Sequence, residues 1–214
     1  MAEPLLAVQD LCVDYVTDRG TVRAVDHVSF ELERGQILGV AGESGCGKST
    51  VAQALLRILP PPAVITGGHA RFEGRDLFAL DEAELRELRW KRISMVFQSA
   101  MDALNPVLPV GEQIRDTLHA HRAVGARVAR ARAADLLEMV GIPAELIHAY
   151  PHQLSGGMRQ RLGIAIALAL EPALVILDEP TTALDVIVER EILEHIRALQ
   201  RQLGFAVLFI THDL

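Results

Sequence analysis

Three groups of residues in this sequence have the types and spacing for phosphate chemistry. The first is the run Gly42, Glu43, Ser44, Gly45, Cys46, Gly47, Lys48, Ser49, Thr50, which fits G-x-x-x-x-G-K-[ST]. Gly42, Gly45 and Gly47 let successive backbone N–H groups turn toward one anion, and a helix starting there puts the positive end of its dipole behind them. Lys48 supplies a compact charge for the β- and γ-phosphates of a nucleotide, and the Ser49 hydroxyl can ligate Mg²⁺. Of 21 basic residues only Lys48 and Lys91 are lysine. A chain that otherwise uses arginine keeps lysine where a planar fork would not fit. Cys46, inside the loop, reads as a small side chain at a permissive position rather than as a reactive thiol.

The second group is Asp178 and Glu179, closing the apolar run LVILD. An acid at the carboxyl end of a buried parallel strand sits at the edge where such sheets bind ligands. Asp178 can hold Mg²⁺ there, and Glu179 can polarise a water for attack on a γ-phosphate. The third group is Gln98, after RISMVFQ, and His212, after FAVLFIT. Each alone says little; ending strands at the same sheet edge as Asp178 gives them weight. The other histidines, His119 with His121 and His148 with His152 among them, lack metal-ligand spacing.

The elements that must position these groups follow from the apolar pattern. Leu5–Val16 and Thr21–Glu33 read as an antiparallel hairpin turning at Asp18, Arg19 and Gly20. QILGVAG is a short buried strand that runs into the glycine loop. A helix is expected over Ser49–Leu59, stopped by Pro60, Pro61 and Pro62. Asp81 and Glu84 form a capping box that opens the helix AELRELRW, and RISMVFQ is another strand. From Ser99 to Tyr150 the strand signal gives way to two helices, about Gly111–Ala123 and Ala126–Val140, which suggests a helical insertion. A long apolar helix over Gly156–Leu170, the strand ALVIL, a helix over Val186–Leu203 and the strand FAVLFIT complete an α/β pattern. It implies a parallel sheet covered on both faces.

Composition sets the outer limits. At 214 residues, 50% hydrophobic and 23% charged, the chain suits one to two domains and is too apolar to be disordered. Two cysteines, Cys12 and Cys46, exclude a disulfide scaffold and point to a reducing compartment. A net charge of -7 gives no global positive field for nucleic acid or an anionic membrane. MAEPLLAV does not read as a secretory signal, and the longest apolar run, Leu162–Leu170, is far short of a membrane span. A cytoplasmic protein that reaches membranes through partners is expected.

The segment LSGGMRQR, Leu154–Arg161, lies between the phosphate loop and the Asp178 strand and resembles the signature of ATP-binding cassette (ABC) ATPases. Ser155 is a good N-cap, and Gly156 and Gly157 allow close backbone approach at a second anion-binding helix start. The resemblance covers essentially the whole chain. It implies a P-loop NTPase (RecA-like) core with an N-terminal antiparallel β subdomain, over about 1–98 and 159–214, and a helical subdomain over about 99–158. It implies Mg-ATP as ligand and a head-to-tail dimer in which each signature closes over its partner's nucleotide. On this resemblance Tyr15 stacks on adenine, Gly42–Thr50 hold the phosphates, Gln98 touches Mg²⁺, and Ser155, Gly156 and Gly157 serve the opposite nucleotide. Asp178 holds metal, Glu179 is the general base, Asp185 lies at the dimer seam, and His212 contacts the γ-phosphate and attacking water.

VRAVDHVSF, FQSAMDALNPVLPVGEQI, YPHQLSGGMRQR and EPTTALDV further resemble the ATPase subunits of oligopeptide and dipeptide importers, a group that includes nickel importers. That implies a peripheral subunit on the cytoplasmic face of the membrane. Its implied partners are a second nucleotide-binding subunit, identical or related, permease subunits and, through them, an external solute-binding protein. The alternatives are an importer subunit for nickel or another small solute, a non-transport ATPase acting on nucleic acid or ribosomes, and a regulatory subunit with negligible turnover. The basic residues Arg122, Arg127, Arg130 and Arg132 could serve nucleic acid, but with Val128, Leu136 and Val140 opposite they read as the wet face of a helix. Relatives in the family continue beyond the position of His212 with further strands and helices. The chain is therefore expected to stop before its domain does, and to be aggregation-prone or poorly active alone.

Overall fold

The computed structural model describes residues 3–98, 103–121, 125–181 and 185–212. Several positions named above fall outside the described residues: 99–102 at the start of the insertion, Arg122, Ala123, Thr182–Leu184 in EPTTALDV, and Asp213 with Leu214.

Two four-stranded sheets organise the described residues. β1 (Leu6–Thr17) and β2 (Gly20–Leu32) form the expected hairpin, with Thr17 opposite Gly20 and the turn tied by Thr17 Oγ1, which donates to the Gly20 carbonyl at 2.8 Å. β4 (Ala63–Phe72) pairs antiparallel on the other side of β1, and the short β5 (Arg75–Asp76) extends it, giving the order β2-β1-β4-β5. Nothing in the periodicity pointed to β4, because Gly67 and Gly68 interrupt its apolar run and Gly68 has φ 86. A Cβ there would lie 2.4 Å from the Asp10 carbonyl oxygen, so the glycine lets the two strands approach at an irregularity.

The second sheet is wholly parallel, β3 (Ile37–Ala41), β8 (Ala206–Thr211), β7 (Leu174–Asp178) and β6 (Ile93–Val96) in that order. β6 and β7 are buried throughout, as expected. β3 corrects the expectation of cover on both faces. It is an edge strand, and alternate residues Ile37, Gly39 and Ala41 are exposed. Leu38 and Val40 pack inward while the opposite face of β3 is open, so its pattern alternates; β6, at the other edge of the sheet, is buried on both faces.

Helices α1 (Lys48–Leu55), α2 (Glu82–Leu88), α3 (Val110–His121), α4 (Ala126–Met139), α5 (Gly156–Leu168) and α6 (Val186–Leu203) connect these strands. Short 3₁₀ turns at Ala144–His148 and Pro151–Gln153 lead into α5. The described residues between β6 and β7 hold helices and turns and no strand. α1 ends four residues before the expected Leu59. Arg57 adopts φ 50, and the Ile58 N–H reaches back to the Gln53 carbonyl at 3.0 Å. Such a left-handed cap is usually glycine. Here Arg89 supports it from afar, donating to the carbonyls of Leu56 at 2.9 Å and Arg57 at 3.3 Å.

The parallel sheet divides the interior. Leu174 and Ile176 of β7 pack with β1, β4 and α1; Val175 and Leu177 pack with α3, α4, α5 and α6. Successive side chains of a strand point to opposite faces, so one strand serves both cores. No helix among the described residues is long and apolar enough to cross a membrane.

Candidate functional site

The glycine loop leaves β3 and feeds α1 as the motif requires. Gly45 and Gly47 have φ 81 and 100, left-handed values that favour glycine. Space constrains Gly47 as well, since a Cβ would stand 2.3 Å from the Ala24 carbonyl oxygen of β2. Lys48 is buried at the first position of α1, and its ammonium donates to the carbonyls of Gly42 at 2.7 Å and Glu43 at 2.8 Å. The loop's N–H groups, the helix start and this cation therefore converge on one cleft, which suits a polyphosphate.

The carboxyl end of β7 supplies the acidic side. The Ser49 hydroxyl donates to Asp178 Oδ1 at 2.9 Å, joining residues 129 apart in sequence. Asp178 is only 2% exposed. Burial pushes its carboxyl above the usual range; the Ser49 hydrogen bond opposes this, the Glu179 charge adds to it, and Lys48 opposes it. A hydroxyl and a carboxylate side by side are an all-oxygen donor pair, which suits a hard dication such as Mg²⁺.

Glu179 follows Asp178 in sequence yet has different partners. Its φ of 47 is a left-handed value, unusual for a residue with a side chain, and its N–H is held by the Ile210 carbonyl at 2.9 Å. The turn brings Glu179 Oε2 within 2.8 Å of Gln98 Nε2, which donates to it, and within 3.2 Å of His212 Nδ1. The strand leading to Gln98 stops at Val96, so Gln98 stands just beyond the sheet rather than ending a strand.

Tyr15, half-buried on β1, lines the same cleft as residues 44–50, Gln98 and Glu179. Val22, Arg23 and Ala24 of β2 also line it. The motif reading missed these three; the signal for them was the hairpin register, which sets Val22 opposite Tyr15 and Arg23 opposite Asp14. Nucleotide-loop residues, both acids, Gln98, His212 and Tyr15 are thus one cluster.

The signature residues are not part of it. Ser155 caps α5, accepting from the Met158 N–H at 3.3 Å, and Gly156 and Gly157 form its first turn. With Asp185 they line a separate cleft that shares no residue with the first. Gly157 permits close packing there, as a Cβ would meet Val188 of α6 at 2.8 Å. Asp185 caps α6, accepting from the N–H groups of Ile187 at 3.2 Å and Val188 at 3.0 Å. Thr181, also unremarked in the sequence, ties the turn after Glu179 to α6 by donating to Glu189 at 2.7 Å.

The chain resembles known proteins in both sequence and fold. A family model described as ABC transporter matches residues 25–182. The oligopeptide transport ATP-binding protein OppD of Bacillus subtilis is 46% identical over 213 residues, which is 98% of this chain and 60% of that protein. The dipeptide transport ATP-binding protein DppD of Bacillus subtilis is 47% identical over 215 residues, 99% of this chain and 64% of that protein. The chain therefore spans less than two thirds of the length of these relatives. Among solved structures, a dimeric ATP-binding cassette in a post-hydrolysis state, bound to ADP and Pi, superposes with a TM-score of 0.84 at 28% identity, covering 97% of this chain and 88% of that one. The protein cbiO1 from Clostridium perfringens, part of the ABC transporter complex cbiONQ, gives 0.82 at 28% identity over 99% of this chain and 80% of its own.

Proposed function

The chain belongs to the ABC transporter family, and on that premise we propose that it binds and hydrolyses Mg-ATP as the nucleotide-binding subunit of a peptide importer. The observation that carries the reading is the Glu179 carboxylate, held by Gln98 and His212 beside a loop whose Ser49 is bonded to Asp178. Lys48 and the loop N–H groups bind the β- and γ-phosphates. Tyr15 offers its ring to the adenine. Ser49 and Asp178 would hold Mg²⁺, with Gln98 at its edge, and the ion when bound would offset charge between those phosphates. Glu179 orients a water and takes its proton as the water attacks the γ-phosphate. Gln98 and His212 fix the carboxylate through one oxygen, and His212 would contact the γ-phosphate.

The separate cleft of Ser155, Gly156, Gly157 and Asp185 supports a head-to-tail dimer, in which this cleft closes over the nucleotide of a second subunit, identical or related. The division into a core with β subdomain, 1–98 and 159–214, and a helical subdomain, about 99–158, assigns the latter to contact permease subunits at the cytoplasmic face of the membrane. An external solute-binding protein would act through that permease. The names of the peptide-importing relatives support di- or oligopeptides as the cargo. Nucleic acid is not among the proposed partners.

Glu179→Gln tests the reading in the complex assembled with its permease. ATP binding should persist while phosphate release falls about 10²- to 10⁴-fold, the usual worth of a positioned general base. Hydrolysis at the wild-type rate would remove Glu179 from that role.

A further inference from the structure

β1 and β2 depart from regular pairing at three register shifts between Val8 and Asp14, and the middle one brings chemistry-bearing side chains together. Leu11 pairs with Val28 and Val13 with Val25, so Cys12 stands opposite two residues, Asp26 and His27. In this bulge His27 takes φ 50, and its backbone N–H donates to Cys12 Sγ at 3.4 Å. Ligand atoms of Cys12, Asp26 and His27 all lie within 4.8 Å of one another. The two ring nitrogens of His27 face different acids: Nε2 is 4.0 Å from Asp26 Oδ1, and Nδ1 is 3.8 Å from Asp10 Oδ1. A carboxylate on the second nitrogen is the arrangement that orients metal-bound imidazoles.

We propose that Cys12, Asp26 and His27 bind a divalent cation of the zinc class, with solvent completing a tetrahedron and Asp10 holding the imidazole from behind. One thiolate, one imidazole and one carboxylate form a donor set for a borderline-soft ion, unlike the all-oxygen pair Ser49 and Asp178. Zinc bonds to nitrogen and sulfur of about 2.0 and 2.3 Å put tetrahedral neighbours about 3.5 Å apart, so the ligands must close by about 1 Å. Asp26 and His27 have side chains 68% and 66% exposed and turn without disturbing a core, while buried Cys12 fixes the point of closure. The opposing charge is Arg23, whose Nη1 donates to Asp26 Oδ1 at 3.1 Å. Arg23 is also held by Asp14, through Nε at 3.0 Å and Nη2 at 3.5 Å, so giving up Asp26 leaves it paired. Binding releases the Cys12 thiol proton to solvent.

Titration of the intact chain with Co²⁺, a spectroscopic substitute for zinc, should produce tetrahedral d–d bands and a thiolate-to-cobalt charge-transfer band, both abolished by Zn²⁺. Cys12→Ser should remove the charge-transfer band and Cys46→Ser should keep it. His27→Ala and Asp26→Asn should each weaken cobalt binding about tenfold or more. Absence of the band in the wild-type chain, its loss with Cys46→Ser, or unchanged affinity in His27→Ala overturns the proposal. The last two variants alter exposed side chains only, so they decide the matter even where Cys12→Ser does not fold.

Discussion

Asp178 and Glu179 are neighbours in sequence with separate partners, and one backbone angle sets them apart. The left-handed turn at Glu179 aims its carboxylate at Gln98 and His212 while Asp178 stays with Ser49. The residue types were legible from the sequence because motif chemistry is local; the convergence of Gln98 and His212 on one oxygen was not, since it depends on where β6 and β8 end. Arg23 escaped notice for the same reason, being placed by the hairpin register alone. Gly47 has little latitude. Gly47→Ala places a Cβ in a left-handed conformation and against the Ala24 carbonyl, which is backbone and cannot rotate away. Strain and overpacking together should cost about 2 to 4 kcal/mol. Chemical denaturation should show that loss together with weakened ATP binding; a variant of wild-type stability and affinity would mean that the loop tolerates another path.

At the scale of elements, ends were readable wherever their caps are written in the sequence. α6 runs over Val186–Leu203, as expected, because Asp185 caps its start and Gly204, φ 75, ends it. α2 begins at its capping box, with Asp81 accepting from the Glu84 N–H at 2.8 Å and Glu84 accepting from the Asp81 N–H at 3.0 Å. Asp81→Ala should therefore destabilise the chain by about 1 kcal/mol, read as a shift in denaturant midpoint with unchanged slope. No shift would mean that packing of Leu85 and Leu88 alone holds the helix. α1 and β4 were misjudged or missed because their limits are tertiary. Arg89 supports the end of α1 from α2, and the glycines of β4 are explained only by the backbone of β1 beside them.

For the whole molecule, the two sheets are tied by charge as well as by apolar packing. Glu73, at the end of β4, pairs with Arg34 after β2 at 3.0 Å and with Arg92 before β6. Burial raises its carboxyl, but the hydrogen bonds from Arg92 and Arg34 outweigh that and hold it below its ordinary value of 4.5. A depressed acid stabilises the fold fully above its unfolded value and loses that contribution as pH falls through the folded one. Glu73→Gln should cost about 1 to 2 kcal/mol at neutral pH, and the gap from wild type should narrow as pH drops below about 4.5. A gap independent of pH would assign the effect to shape rather than charge.

The division of the interior by β7 has a consequence for how this molecule tolerates change. Val175 and Ile176 are joined by one peptide bond but belong to different volumes, so space lost on one side cannot be refilled from the other. The helices between β6 and β7 are thereby free to exchange their interior side chains, and the surface they present, while the wall behind the phosphate loop keeps its shape. The sheet acts as a bulkhead, letting the helical half drift without flooding the half that carries the glycine loop.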